Sequence, residues 1–158
     1  MWSRAVLLFV QSNETGVCPI CGEPLFLRGW RLRGLIEADG EKRALFIRRL
    51  RCSGCGRIHH ELPDCVVPYK RHCAETIEEI AGGITGGTPC EERTLRRITA
   101  WWSVMAPYFL SVLKALAEKY RTPYPAAPAF REIVRAAVNS NHWTFPNSIC
   151  TRSACMSG

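Results

Sequence analysis

Four cysteines stand in two pairs whose spacing has a ready chemical use. They are Cys18-Pro-Ile-Cys21-Gly22 and Cys52-Ser-Gly-Cys55-Gly56, with thirty residues between Cys21 and Cys52. Two residues between paired cysteines let both thiolates reach one ion from a tight turn, at a zinc–sulfur distance of about 2.3 Å. The glycine after each second cysteine, Gly22 and Gly56, permits the positive φ that such a turn tends to require. Four thiolates complete a closed tetrahedral shell around one Zn2+ and leave no open position. The expected role is therefore structural rather than catalytic. Iron is a less suitable occupant of the same four ligands.

The other metal-ligating residue types fit no such pattern. His59, His60 and His72 come after the second pair and are read as polar surface or phosphate neighbours, because four cysteines already fill a shell. Cys65, Cys73 and Cys90 are read as small core residues. Cys150 and Cys155, with His142, match no common ligand spacing.

Positive charge gathers around the same region. The chain has 158 residues and a formal net charge of +7. Nine of its Lys and Arg lie between Arg28 and Arg57, opposed there by Glu37, Asp39 and Glu41 alone. Backbone phosphate is the commonest target of such a patch. No secretory leader is expected, since Ala5 to Val10 is too short an apolar run and has no cleavage site after it. A cytoplasmic protein is the expectation, and in that reducing compartment paired cysteines read as metal ligands. Ile98 to Leu113 holds sixteen uncharged residues, about 24 Å of helix, short of a membrane's roughly 30 Å apolar core.

These groups need elements to hold them. The fold expected is α+β, a small N-terminal zinc ribbon followed by an all-α region that resembles a helix-turn-helix. Residues 1–62 form the ribbon, 63–138 the helical region and 139–158 an irregular tail. Ala5 to Val10 is expected as a strand packing on the ribbon. Leu25 to Glu37 and Ala44 to Leu50 read as an antiparallel hairpin about the Asp39-Gly40 turn, with a cysteine knuckle at each end. Pro63 and Pro68 then mark a linker, and a helical segment begins at Lys70-Arg71 and ends at Gly82-Gly83. Thr88 and Pro89 are expected as the N-cap and first position of the next helix. Its apolar stripe is Leu95, Ile98, Trp102 and Met105. Pro107 is expected to open a separate helix to Tyr120, and Ala129 to Val138 a last short one.

Two helices about a glycine-rich turn can place the second in a major groove. Arg93, Thr94, Arg96 and Arg97 would then reach bases or phosphates. A helical hairpin with merely solvated arginines accounts for the same pattern nearly as well, and the turn from Gly82 to Thr88 is longer than usual. Arg48, Arg49, Arg51 and Arg57 of the ribbon, with Lys70 and Arg71 after it, complete the candidate DNA-binding set.

Several runs carry a family resemblance. Cys18-Pro-Ile-Cys21-Gly22, Ile47-Arg-Arg-Leu-Arg-Cys52-Ser-Gly-Cys55-Gly-Arg57, Leu62-Pro63 and Pro68-Tyr-Lys-Arg71 resemble the bacterial domain-of-unknown-function 6431 proteins. They are also similar to the N-terminal zinc ribbon and helix-turn-helix of ISL-three-type transposases. The resemblance covers about residues 17–102. It implies binding to transposon-end or regulatory DNA, with Cys18, Cys21, Cys52 and Cys55 as ligands and Glu92 to Trp102 as recognition helix. No nuclease domain is expected after it, so transposase activity itself is not expected.

The functional expectation is a non-catalytic, zinc-ribbon, DNA-binding protein, mobile-element-associated or regulatory, whose partner is duplex DNA. The alternative is a zinc-scaffolded protein-interaction module, its uncharged helix from Ile98 forming a homodimer face. No small-molecule substrate, membrane partner or enzymatic activity is expected. The acids Glu75, Glu78, Glu79, Glu91 and Glu92 sit on solvated helical faces, and the glycine run lacks the Lys-Ser/Thr of a phosphate loop.

Overall fold

The computed structural model describes residues 7–9, 12, 16–142 and 148–151. Two long strands dominate it, β2 (Leu25–Ile36) and β3 (Lys42–Cys52). They pair antiparallel from Ile36↔Lys42 to Leu25↔Cys52 about the Asp39-Gly40 turn, where Gly40 takes a φ of 86°. A bulge between Leu27 and Gly29 shifts the register once. Since β2 occupies one edge of β3 along its whole length, the other edge takes two short strands in succession. These are β1 (Leu7–Phe9), parallel at Ala44 to Phe46, and β4 (Ile58–Pro63), antiparallel at Arg49 to Arg51.

Three expectations change here. The stretch now forming β4 was expected as the ribbon's end and the start of a linker, with His59 and His60 read as polar surface or phosphate neighbours. Instead His59 and Glu61 are fully buried, Glu61 paired with Arg48 of β3 and His59 set with Nε2 against the Cys18 sulfur, its Nδ1 meeting no partner among the described residues. The linker after Pro63 is interior too, with Cys65, Val66, Val67 and Pro68 all buried. It is tied to the end of β2 by Ile36 N donating to Arg71 O at 2.8 Å and Cys73 N to Ile36 O at 2.9 Å. The tail after Asn139, expected to be irregular, supplies β5 (Ser148–Thr151), parallel to β4 from His60↔Ser148 to Pro63↔Thr151.

The helices cover one face of this sheet. α1 (Ala74–Ala81) starts later than expected, and buries Ala74, Thr76, Ile77 and Ile80. α2 runs unbroken from Glu92 to Tyr120, through Pro107. Glu91, not Thr88, is its N-cap, while the Thr88 hydroxyl donates to Thr85 O. The continuity has a packing reason. Leu95, Ile98, Trp102, Met105, Phe109, Val112 and Leu116 keep a three-then-four spacing straight across Pro107. Continuing the helix forfeits one amide hydrogen bond, a penalty of about 3 kcal/mol. Breaking it would take Phe109 and Val112, both buried, out of the core. α3 (Phe130–Asn139) buries Phe130, Ile133, Val134, Ala137 and Val138, one stripe at helical spacing. Trp102 joins these layers, its ring 6.2 Å from Phe109 and 4.9 Å from Phe130.

Sheet and helices share one core. Leu35, Leu45, Ile47 and Leu62 of the strands meet Ile77, Ile80, Ile98, Phe109 and Phe130 of the helices. The stretch from Ile98, considered as a dimer face, spends most of its apolar side chains on this interior. No helix among the described residues is long and apolar enough to cross a membrane. α1 and α2 pack together across a ten-residue connection, longer than the three or four residues of a helix-turn-helix.

Candidate metal centre and basic face

The hairpin register brings the two cysteine pairs together, because Leu25 after the first knuckle stands opposite Cys52 in the second. Each knuckle closes alike. Gly22 N donates to Cys18 O at 2.8 Å, and Gly56 N to Cys52 O at 3.2 Å, with φ of 79° and 73° at the two glycines. Ser53 N donates to Pro24 O and locks one knuckle to the other.

The sulfurs of Cys18, Cys21, Cys52 and Cys55 all lie within 4.8 Å of one another, and these four could hold a metal ion. Cys18 and Cys55 sulfurs are 3.7 Å apart, Cys21 and Cys52 3.3 Å. A regular tetrahedron with ligands about 2.3 Å from its centre has edges of about 3.8 Å, so the spacing fits a four-thiolate shell. Cys18 and Cys52 are buried while Cys21 and Cys55 face solvent, which leaves a path of entry.

The environment treats the thiols unequally. Burial pushes the Cys18 thiol up to about 11, the amides of Cys21 and Ile20 opposing it in part. Burial acts in the same sense on Cys52, but there the amides of Cys55 and Gly54 and the neighbouring thiols prevail and bring it down to about 6. Those amides lie 3.4 and 3.3 Å from the Cys52 sulfur. His59 lies against Cys18. Its Nε2 sits 3.4 Å from the sulfur, and burial, followed by the charge of Arg57, lowers its pKa and keeps the ring neutral. An N–H on Nε2 directed at Cys18 stabilises a thiolate there, as outer-shell donors do in metal sites. Expected at the surface, His59 is instead the interior brace of the cluster.

The arginines expected along phosphates divide between two faces. Strand alternation puts Arg48 on one face and Arg49 and Arg51 on the other. Arg48 is spent inside the protein. Its Nε and Nη2 donate to the Glu61 carboxylate at 3.1 and 2.6 Å, and Nη2 also reaches Ser12 O. The Arg48 side chain is 15% exposed and that of Glu61 1%. Arg48 therefore does not stand at the surface as expected. Arg49 does line an open cleft, with Trp30, Arg31, Ile58 and His60. Arg51 and Arg57 are exposed beside the knuckles. Lys70 is half-buried, its amine 4.0 Å above the Trp101 ring, and Arg97 lies near enough to lower its pKa further after burial. Arg71, Arg93 and Arg97 are exposed, Thr94 is half-buried, and Arg96 pairs with Glu92 one turn away.

Sequence reasoning counted Arg31 in the basic patch and read His60 as polar surface or a phosphate neighbour, but placed neither in the candidate DNA-binding set. Arg31 is opposite Ile47, so it shares a face with Arg49, and His60 is the direct partner of Arg49. Alternation alone could have grouped the two arginines, given the hairpin register; the β4 pairing that adds His60 had no local signal. Cys73 is buried in the core as expected, Cys90 is half-buried, and Cys65 is disulfide-bonded. Cys155 lies outside the described residues.

Comparison with known proteins adds one finding. A family model described as a domain of unknown function, DUF6431, matches residues 18–98, just over half of the chain. No curated protein and no solved structure matches.

Proposed function

This chain belongs to the family described as a domain of unknown function, DUF6431, and from its own residues we propose that it is a zinc-ribbon protein that binds duplex DNA and performs no chemistry on it. Zinc is the ion best suited to four thiolates in a closed shell, and its role is to hold the knuckle end of the hairpin. One observation carries the DNA reading. Arg31, Arg33, Arg49 and His60 lie close enough to act on one another electrostatically, Arg33 donates to Lys70 O at 3.0 Å, and Lys70 is near Arg97. Arg31 and Arg49 near the zinc end and Lys70 and Arg97 towards the start of α2 are thereby two basic groups, joined through the half-buried Arg33. Among the described residues, neither Arg31 nor Arg49 forms an ion pair. Unneutralised cations in two such groups suit the regular charge of a nucleic-acid backbone. Arg93 and Arg97, at the N-terminal end of α2, are the candidates for groove contacts. The ribbon-then-helices order also suits a mobile-element-associated or regulatory protein.

A second reading rests on the opposite face of the hairpin, where Phe9, Trp30 and Leu32 are exposed large apolar residues beside Phe46. Such a patch suits a protein partner.

The test is binding to random duplex DNA across a salt series, with zinc content measured on the same sample. Four to six phosphate contacts give a log–log slope of about −3.5 to −5.5. Zinc-loaded protein that fails to bind at low salt would leave the DNA reading without support and favour the apolar face.

A further inference from the structure

We propose that the cleft between Arg31, Arg49 and His60 is a phosphate-group site that fixes one backbone phosphate of the duplex and so sets where the zinc end lies along it. This rests on the DNA reading above and adds a specific residue set to it. Three adjacent strands converge on the cleft: Arg31 from β2, Arg49 from β3 and His60 from β4, with Ile58 of β4 beside them on the same face. Both arginines and the imidazole share one sheet face, because Arg31 pairs with Ile47, two residues from Arg49, and Arg49 pairs with His60. On that face Ile47 is buried under the helices, so the cleft opens where the helical cover ends.

The donor set suits phosphate. Two guanidiniums offer planar forks, which match phosphate oxygens bidentately, and an imidazolium offers a third charged donor. The charged groups acting on His60 are Arg31, Arg49 and Arg33 from the neighbouring strands and His59 from its own, all cationic or neutral, and no carboxylate is among them. Burial, then those arginines, lowers its pKa, so the ring is mostly neutral near pH 7. A phosphate between the arginines offsets their field and favours the protonated ring. Binding therefore takes up a proton at His60, and affinity rises as pH falls.

The test uses the full zinc-loaded chain. R31Q and R49Q are each expected to raise the duplex dissociation constant about tenfold and to make the salt slope shallower by about one. K114Q, at an exposed site on α2, should change affinity less than twofold. In parallel, the His60 imidazole is followed by NMR, assigned with H60N, while inorganic phosphate is added. Its titration midpoint should rise with phosphate in the wild type and stay fixed in R31Q. If wild type binds duplex and both arginine variants behave like K114Q, the cleft is wrong and the DNA reading survives. If the His60 midpoint responds to inorganic phosphate but no duplex binds, the phosphate chemistry stands, its source is a free phosphate compound, and the DNA reading falls. A His60 midpoint indifferent to phosphate, with no duplex bound, overturns both.

Discussion

Replacing Arg48 by methionine separates a structural arginine from a binding one. The Glu61 carboxylate is 1% exposed and accepts from Arg48 Nε at 3.1 Å, Arg48 Nη2 at 2.6 Å and Ser12 N at 3.4 Å. R48M removes the countercharge and leaves a single long hydrogen bond to a buried carboxylate. Breaking a buried pair from one side costs about 3–5 kcal/mol. Against a total stability of about 5–15 kcal/mol that is a large fraction. For a chain of this size it corresponds to a fall in melting temperature of roughly 6–20 °C. Urea unfolding of the zinc-loaded protein measures it. The double variant R48M/E61L, which removes both charges, should recover most of the loss, since replacing a whole buried pair with apolar side chains is often near neutral. At temperatures where R48M is folded, its DNA affinity and salt slope should match wild type. The reasoning fails if R48M unfolds within about 1 kcal/mol of wild type and weakens DNA binding as much as R49Q does.

The same geometry sets four further outcomes. Removing zinc with a chelator, or C52S, should strip amide protection around residues 17–28 and 50–58, while α3, distant from the knuckles, keeps its protection in hydrogen exchange; uniform loss would show that the core also depends on the metal. H59A should lower zinc affinity about 10–100-fold in a chelator competition and H59Q, which keeps an N–H donor, should restore part of it; an unchanged affinity in H59A removes the role given to that ring. Zinc affinity should fall as pH falls from 8 to 6, because the Cys18 thiol, held up to about 11 by burial, must surrender its proton to bind, and protons compete more strongly at low pH; a flat profile contradicts that protonation state. P107A should stabilise the protein by about 1–3 kcal/mol in urea, since alanine restores an amide to a helix that is already continuous, whereas a loss would show that Pro107 is needed where it stands.

The amino-acid sequence by itself determined whatever depends on short-range pattern. The cysteine pairs and their glycines specified the knuckles, and Asp39-Gly40 specified the turn and with it the hairpin pairing. The apolar spacing of Phe130, Ile133, Val134, Ala137 and Val138 specified α3. Each is a signal complete within a few residues. Pro107 misled for the same reason: locally it opens a helix, and only the burial of Phe109 and Val112 beneath the rest of the chain outweighs the lost hydrogen bond.

Tertiary structure alone decided the fate of the polar groups. His59 and Glu61 look like surface in sequence, and their burial is stable only because Cys18 and Arg48, distant along the chain, meet them. The same pairing withdraws Arg48 from the basic set and, one residue on, turns Arg49 outward beside Arg31 and His60. A strand's alternation says that adjacent arginines face opposite ways. Here Arg48 is enclosed by Glu61 of β4 and the Ser12 carbonyl on the face away from the helices, while Arg49 stays open where the helical cover ends, and the chain settles that only when its distant segments meet.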